Sequence, residues 1–140
     1  MNKKEELLQQ LAEIENQERK QLIKIEYPKF KQLIGKCFKF KTSYSCSEKK
    51  SDYWYVYSKI VSIRPDDLYL GGASADKVLA RCKTTTFQKN KYGSISINPN
   101  DDTYVHCIGE EISIDEFNKE FENIISIVNG LKQQYYLIPK

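Results

Sequence analysis

The chain is short of several things: it has one histidine, three arginines (Arg19, Arg64 and Arg81), four prolines and six glycines, and no long apolar run. Without a run of about 20 apolar residues no helix can cross a bilayer. The charged start MNKKEELLQQ also lacks the apolar h-region of a secretory signal, so a cytoplasmic protein with no membrane partner is expected. A lone His106 removes the commonest general base, and no Ser or Cys stands in a nucleophile motif. No catalytic residue is therefore assigned, and the chain is expected not to be an enzyme. Gly71-Gly72 lacks the context of a phosphate-binding loop and reads as a turn. The pairs Asp66-Asp67 and Asp101-Asp102 sit beside Pro or Asn, where turns favour Asp for backbone reasons.

The four cysteines, Cys37, Cys46, Cys82 and Cys107, are separated by 8, 35 and 24 residues, which matches no paired-ligand spacing. His106 and Cys107 are adjacent, and neighbours in a strand point to opposite faces, so they do not share one ion. No metal and no cofactor are expected. The thiols read as small hydrophobes in a reducing compartment, with Cys46, in a polar loop, as the exposed one.

What is present is a polar, globular composition, 40% hydrophobic and 29% charged over 140 residues, which fits a single domain. The formal net charge of +3 conceals a division. Residues 1–98 carry 19 Lys and Arg against 11 Asp and Glu, net +8, and residues 99–140 carry 3 against 8, net −5. Such a split can give a basic face and an acidic end.

Residues 2–26 contain no Gly or Pro and are rich in Glu, Gln, Lys and Leu, which predicts a long helix. Leu7, Leu11 and Ile14, then Leu22 and Ile25, follow a 4-3 repeat whose middle, at Glu18 and Gln21, is polar. The helix can lie across the body or stand out as an arm that pairs with a partner or a second copy. Pro28 ends it or starts another turn. Residues 1–34 are read as a helical arm and residues 35–140 as a β-rich body. In KCFKFK, Phe38 and Phe40 share one face, and Cys37, Lys39 and Lys41 the other. The strongest strand signal is DYWYVYSKI: Tyr53, Tyr55 and Tyr57 on one face, Trp54, Val56, Ser58 and Ile60 on the other, and neither plainly polar. Val61 and Ile63 return on the Tyr parity, as in a long bent strand crossing a small barrel. DLYL is a short return strand, and residues 74–79 read as helix or loop before the β-rich KTTTF. SISIN and TYVHCI read as two strands separated by a PNDD turn. At the C-terminus, Ser113 and Glu116 form a capping box. Ile114, Phe117, Phe121, Ile124, Ile125 and Val128 then make one apolar stripe, ended by Asn129-Gly130. The tail QQYYLIPK is apolar enough to dock. The sum is an α+β fold of helix, five or six antiparallel strands and helix, whose strands can close as an SH3-like or OB-like barrel.

Two binding readings follow from the Tyr-rich strand, with Trp54 and Val56 taken as inward and the Tyr row as at least partly outward. Tyr53, Tyr55, Tyr57 and Lys59, beside Lys39 and Lys41, can anchor a protein partner. The same rings and lysines can hold a single-stranded nucleic acid by stacking and phosphate contacts, although the chain is poor in Arg. The segments LIGKCFKFKTSYSC, DYWYVYSKIVSI, FQKNKYGSISI and GEEISIDEFNKEF resemble uncharacterised small bacteriophage and mobile-element proteins. In these a helix precedes a GKxFK-like strand, a Tyr/Trp-rich strand, a KYG turn and an amphipathic helix. The resemblance implies a phage gene product acting inside a bacterial cell or in a virion; with the lack of catalytic residues, the expectation is a non-enzymatic adaptor or inhibitor that binds a bacterial host or defence-system protein in the host cytoplasm. A homodimer through residues 2–26 is a further expectation.

Overall fold

The computed structural model describes residues 2–44, 52–71 and 77–135. Helix α1 spans Lys3–Lys31 and helix α2 Ile114–Tyr135. Between them lie β1 (Cys37–Ser43), β2 (Tyr53–Ser62), β3 (Leu68–Gly71), β4 (Lys77–Lys89), β5 (Ile95–Tyr104) and β6 (Glu110–Ile112). All pairings are antiparallel, in the order β3-β4-β2-β1-β6 with β5 on β4. This is the expected α+β class. The sheet is open and does not close into a barrel: β5 and β6 are not paired with each other.

Apolar residues on both faces of the sheet require a cover on each side, and the helices supply them. On one face, Phe38, Ile60, Ile63, Leu68, Ala80, Cys82 and Ile108 form a buried cluster under Ile23, Tyr27, Phe30 and Leu33. The Tyr27 hydroxyl donates to the Ile63 carbonyl at 3.0 Å. On the other face, Cys37 and Phe87 are buried under Phe117 and Ile124 of α2, with Tyr57, Phe121 and Ile112 packed around them. The Phe87 ring meets Phe117 edge-on at 5.0 Å and stacks on Tyr57 at 5.2 Å.

Several local readings are corrected. Helix α1 continues through Pro28 to Lys31, because tertiary packing of Ile23, Tyr27 and Phe30 holds the turn that proline weakens. Val61 does not follow the Tyr parity into a barrel wall. The β2–β4 register shifts between Ile60 and Ser62, so Val61 is extruded to solvent and both Ile60 and Ile63 are buried in one cluster. PNDD is not a turn: Pro99 and Asn100 together oppose Thr85 as a bulge within β5, on the open side of the sheet where a missing N–H is tolerated. Val105–Cys107 forms a 3-10 turn, and the chain then adds β6 against β1. Lys77–Leu79 is strand; Gly72, the Ser74 cap, Cys46 and the end of the tail lie outside the described residues. At α2, Ser113 Oγ accepts from the Glu116 N–H at 3.0 Å, and the helix runs past Asn129-Gly130 to Tyr135.

Gly109 carries the reversal from the 3-10 turn into β6. Its φ is +92°, and a Cβ there would lie 2.1 Å from the Lys39 carbonyl oxygen. Gly93, in the β4–β5 turn, has φ +85° but open space around it. Gly93→Ala is expected to cost about 1–2 kcal/mol, the left-handed penalty alone. Gly109→Ala should cost more than about 3 kcal/mol, since backbone must move as well. Urea unfolding of the two variants checks this, and equal losses would contradict the close approach.

Candidate functional site

Cross-strand register assembles the predicted residues. Lys39 lies opposite Tyr57, Lys41 opposite Tyr55, Ser43 opposite Tyr53 and Cys37 opposite Lys59. All six site residues share one face of the sheet, as alternation requires. That face is the one α2 covers. Tyr57 is therefore half-buried between Phe87 and the helix, while Tyr55 is exposed and Tyr53 intermediate. Lys59 sits half-buried beside Cys37, four residues along the strand from Tyr55 and so roughly 13 Å away. The accessible patch reduces to Tyr53, Tyr55, Lys39 and Lys41.

The lysines of this patch are engaged within the protein. Lys41 Nζ stands 4.5 Å from the Tyr53 ring centre and Lys39 Nζ 4.9 Å from that of Tyr55. Lys39 also lies 3.9 Å from a Glu110 carboxylate oxygen and 3.8 Å from Glu116 Oε2. Lys36 pairs with Glu111 at 3.4 Å. The pairing follows from the β1–β6 register, which sets Lys39 directly opposite Glu110. The acidic C-terminal third thus folds back on the basic β1. The second half of the capping box is diverted to the same end, because the Glu116 side chain faces Lys39. A shallow groove of about 200 Å³ separates the Tyr row from α2, lined by Tyr55, Tyr57, Lys89, Glu120 and Ile127. Its lining is part polar and part apolar and carries both signs of charge, from Lys89 and Glu120.

The opposite face carries a surface that the sequence reading took as core. Only the end of that face near Ile60 lies under α1, so Trp54 and Val56 are half-buried and line an open groove of about 260 Å³ with Phe40, Thr86, Gln88 and Asp101. The Trp54 indole N–H donates to Gln88 Oε1 at 2.8 Å. Tyr44 packs on Trp54 at 4.8 Å and on Tyr92 at 5.5 Å, which makes an aromatic rim at the hairpin ends. Below the groove a hydroxyl ladder joins Ser58, Thr86 and buried Thr84 at 3.3 and 2.9 Å, which satisfies the polar groups where the strands enter the core. A third cluster sets Arg81 5.9 Å from the Tyr69 ring centre and 5.8 Å from that of Tyr104. The sequence signal for these surfaces was present in the lack of a polar face on DYWYVYSKI. What was missing was which helix lies where.

Among the described residues, no three His, Cys, Asp or Glu side chains converge on a point where a metal could bind, and no helix is long and apolar enough to cross a membrane. Burial raises the Cys82 thiol to about 11, with Asp67, Asp101 and Asp102 adding to the effect, and burial raises Cys37 despite nearby Lys59. Both are held as unreactive thiols. No family model, no curated protein and no solved structure matches the chain.

Burial pushes the Tyr57 phenol from its ordinary value of 10.0 up to about 12, reinforced by Glu120, Glu116 and Tyr55. The neutral phenol is thus favoured in the folded state, so its contribution is fully present below pH 10 and is lost as pH rises through about 12. Tyr57→Phe is expected to flatten this alkaline loss, as measured by urea unfolding between pH 9 and 12. An unchanged pH profile would place the hydroxyl in solvent.

Proposed function

We propose that the chain is a non-enzymatic protein-binding module that uses Tyr53 and Tyr55, framed by Lys39 and Lys41, as its anchor. The single observation that carries this reading is the engagement of Lys39 by Glu110, Glu116 and the Tyr55 ring. A surface built to follow phosphates presents cations to the ligand and leaves aromatic faces open for bases. Here Lys39 and Lys41 sit over the rings, and carboxylates stand beside Lys39. Mixed charge around exposed Tyr is instead the make-up of a protein interface, in which Tyr supplies area at low entropic cost. The resemblance to phage proteins supports a bacterial host or defence-system protein as the partner, and adaptor or inhibitor as the role.

The test has two arms. Labelled single-stranded DNA and RNA, titrated at low and moderate salt, are expected to show no binding. A partner recovered from a nuclease-treated bacterial lysate should bind with mild salt dependence. Tyr55→Ala should weaken that complex by about 1 kcal/mol or more, and Lys39→Gln with Lys41→Gln should alter mainly the on-rate. Single-strand binding that falls steeply with salt and is lost in the double lysine variant would establish the nucleic-acid reading in its place.

A further inference from the structure

The first two thirds of α1 are exposed, with Glu15, Glu18 and Arg19 bordering a shallow cavity shared with Leu70 of β3. Every residue from Asn2 to Gln21 is exposed, and α1 has no fully buried residue. Over roughly 28 Å of helix, Leu7, Leu8, Leu11 and Ile14 are 52% to 59% exposed, and Ile25 is 55% exposed further along. Isolated helices of this length are marginal in water, and large aliphatic side chains standing in water add no stability. At 3.6 residues per turn, the stripe of Leu7, Leu11, Ile14 and Ile25 points roughly 160° away from Ile23, Tyr27 and Phe30, which hold the helix to the body. These four apolar side chains are thus on the side of the helix away from the core cluster, while Glu18 borders the cavity at Leu70.

We infer that this stripe is covered by the same stripe of a second copy, running antiparallel. Three features select that occupant and that direction. The 4-3 repeat places Leu7, Leu11, Ile14, Glu18, Gln21 and Ile25 on one seam, and an antiparallel pair centred near Asn16 sets Leu7 against Ile25, Leu11 against Gln21 and Ile14 against Glu18 of the second copy. A parallel, in-register pair would instead set Glu18 against Glu18 in the middle of the seam, like charges in the least solvated layer. Residues 3–15 carry Lys3 and Lys4 against Glu5, Glu6, Glu13 and Glu15, net −2, while residues 18–31 carry five cations against Glu18 and Glu26, net +3. Antiparallel pairing brings the acidic half of each arm beside the basic half of the other, and opposes the helix dipoles. The bodies then lie at opposite ends of the pair, where neither obstructs the other.

Light scattering and sedimentation of the full chain, from low to high micromolar concentration, should show a rise from 16.4 kDa toward twice that mass. The double variant Leu11→Glu, Ile14→Glu should remain monomeric, with an unchanged near-ultraviolet signal from the aromatic body as proof of folding. Direction is read by disulfide trapping in a chain with Cys46→Ser and Cys107→Ser. A mixture of Leu7→Cys and Ile25→Cys chains should cross-link with each other, and Leu7→Cys alone should not. A wild-type chain that stays at 16.4 kDa at every concentration, leaving the stripe to a different protein or a lipid surface, would overturn the inference, as would a dimer that survives the double variant. Efficient Leu7→Cys self-linkage would overturn the antiparallel direction.

Discussion

A strand that is apolar on both faces is stabilised by a cover on each, and β2 is such a strand. Tyr57 and Ile60, three residues apart, lie in separate clusters on opposite sides of one sheet. Each side needs its own cover, and 140 residues supply one helix for each. Because α1 crosses near Ile60 and α2 near Phe87, the two covers are offset. The part of each face beyond its helix is left as surface. The exposed Tyr55 on one side and the open groove at Trp54 on the other are both consequences of that offset.

The bulges serve the same constraint. If β2 kept strict alternation, Ile60 and Ile63 would lie on opposite faces, and one of them would leave the cluster beneath α1. Extruding Val61 restores both to one side. The bulge at Pro99 and Asn100 keeps β5 paired along β4 from Lys89 to Arg81, although proline cannot donate to the ladder. Asn98 Oδ1 accepts from the Asn100 N–H at 3.0 Å and closes the bulge locally. Gly109 completes the arrangement by letting the chain pass against the Lys39 backbone, so that β6 reaches β1 and α2 begins over Phe87.

The legible parts of the sequence were those where one period dominates. The stripe Phe117, Phe121 and Ile124 with its Ser113 cap, the alternation of KCFKFK, and the helical composition of residues 2–26 each state their structure locally. Illegible parts depended on what packs from elsewhere. Pro28 would end a solitary helix, but Tyr27 and Phe30 on either side of it are held by the core. PNDD carries turn residues, yet pairing with β4 keeps it extended. The six candidate site residues were correctly placed on one face by parity. Parity cannot say which face receives α2, and for that reason the Tyr row could be placed only as partly outward, and Trp54 was read as interior.

Charge shows the same limit in a form that bears on function. Counted along the sequence, the basic first 98 residues and acidic last 42 suggest a chain with two electrostatic poles. Folding brings Glu110, Glu111 and Glu116 to Lys36 and Lys39, so part of the division is used up inside the molecule. An exposed pair such as Lys36–Glu111 contributes about 0–1 kcal/mol to stability, so holding the fold together is not the main effect of these charges. Their effect is on the surface potential of the patch beside Tyr55. A cation already facing a carboxylate and a ring gains little by approaching a phosphate, since it must give up partners to do so. Register between two short strands, rather than net charge, thereby sets the charge that this patch presents.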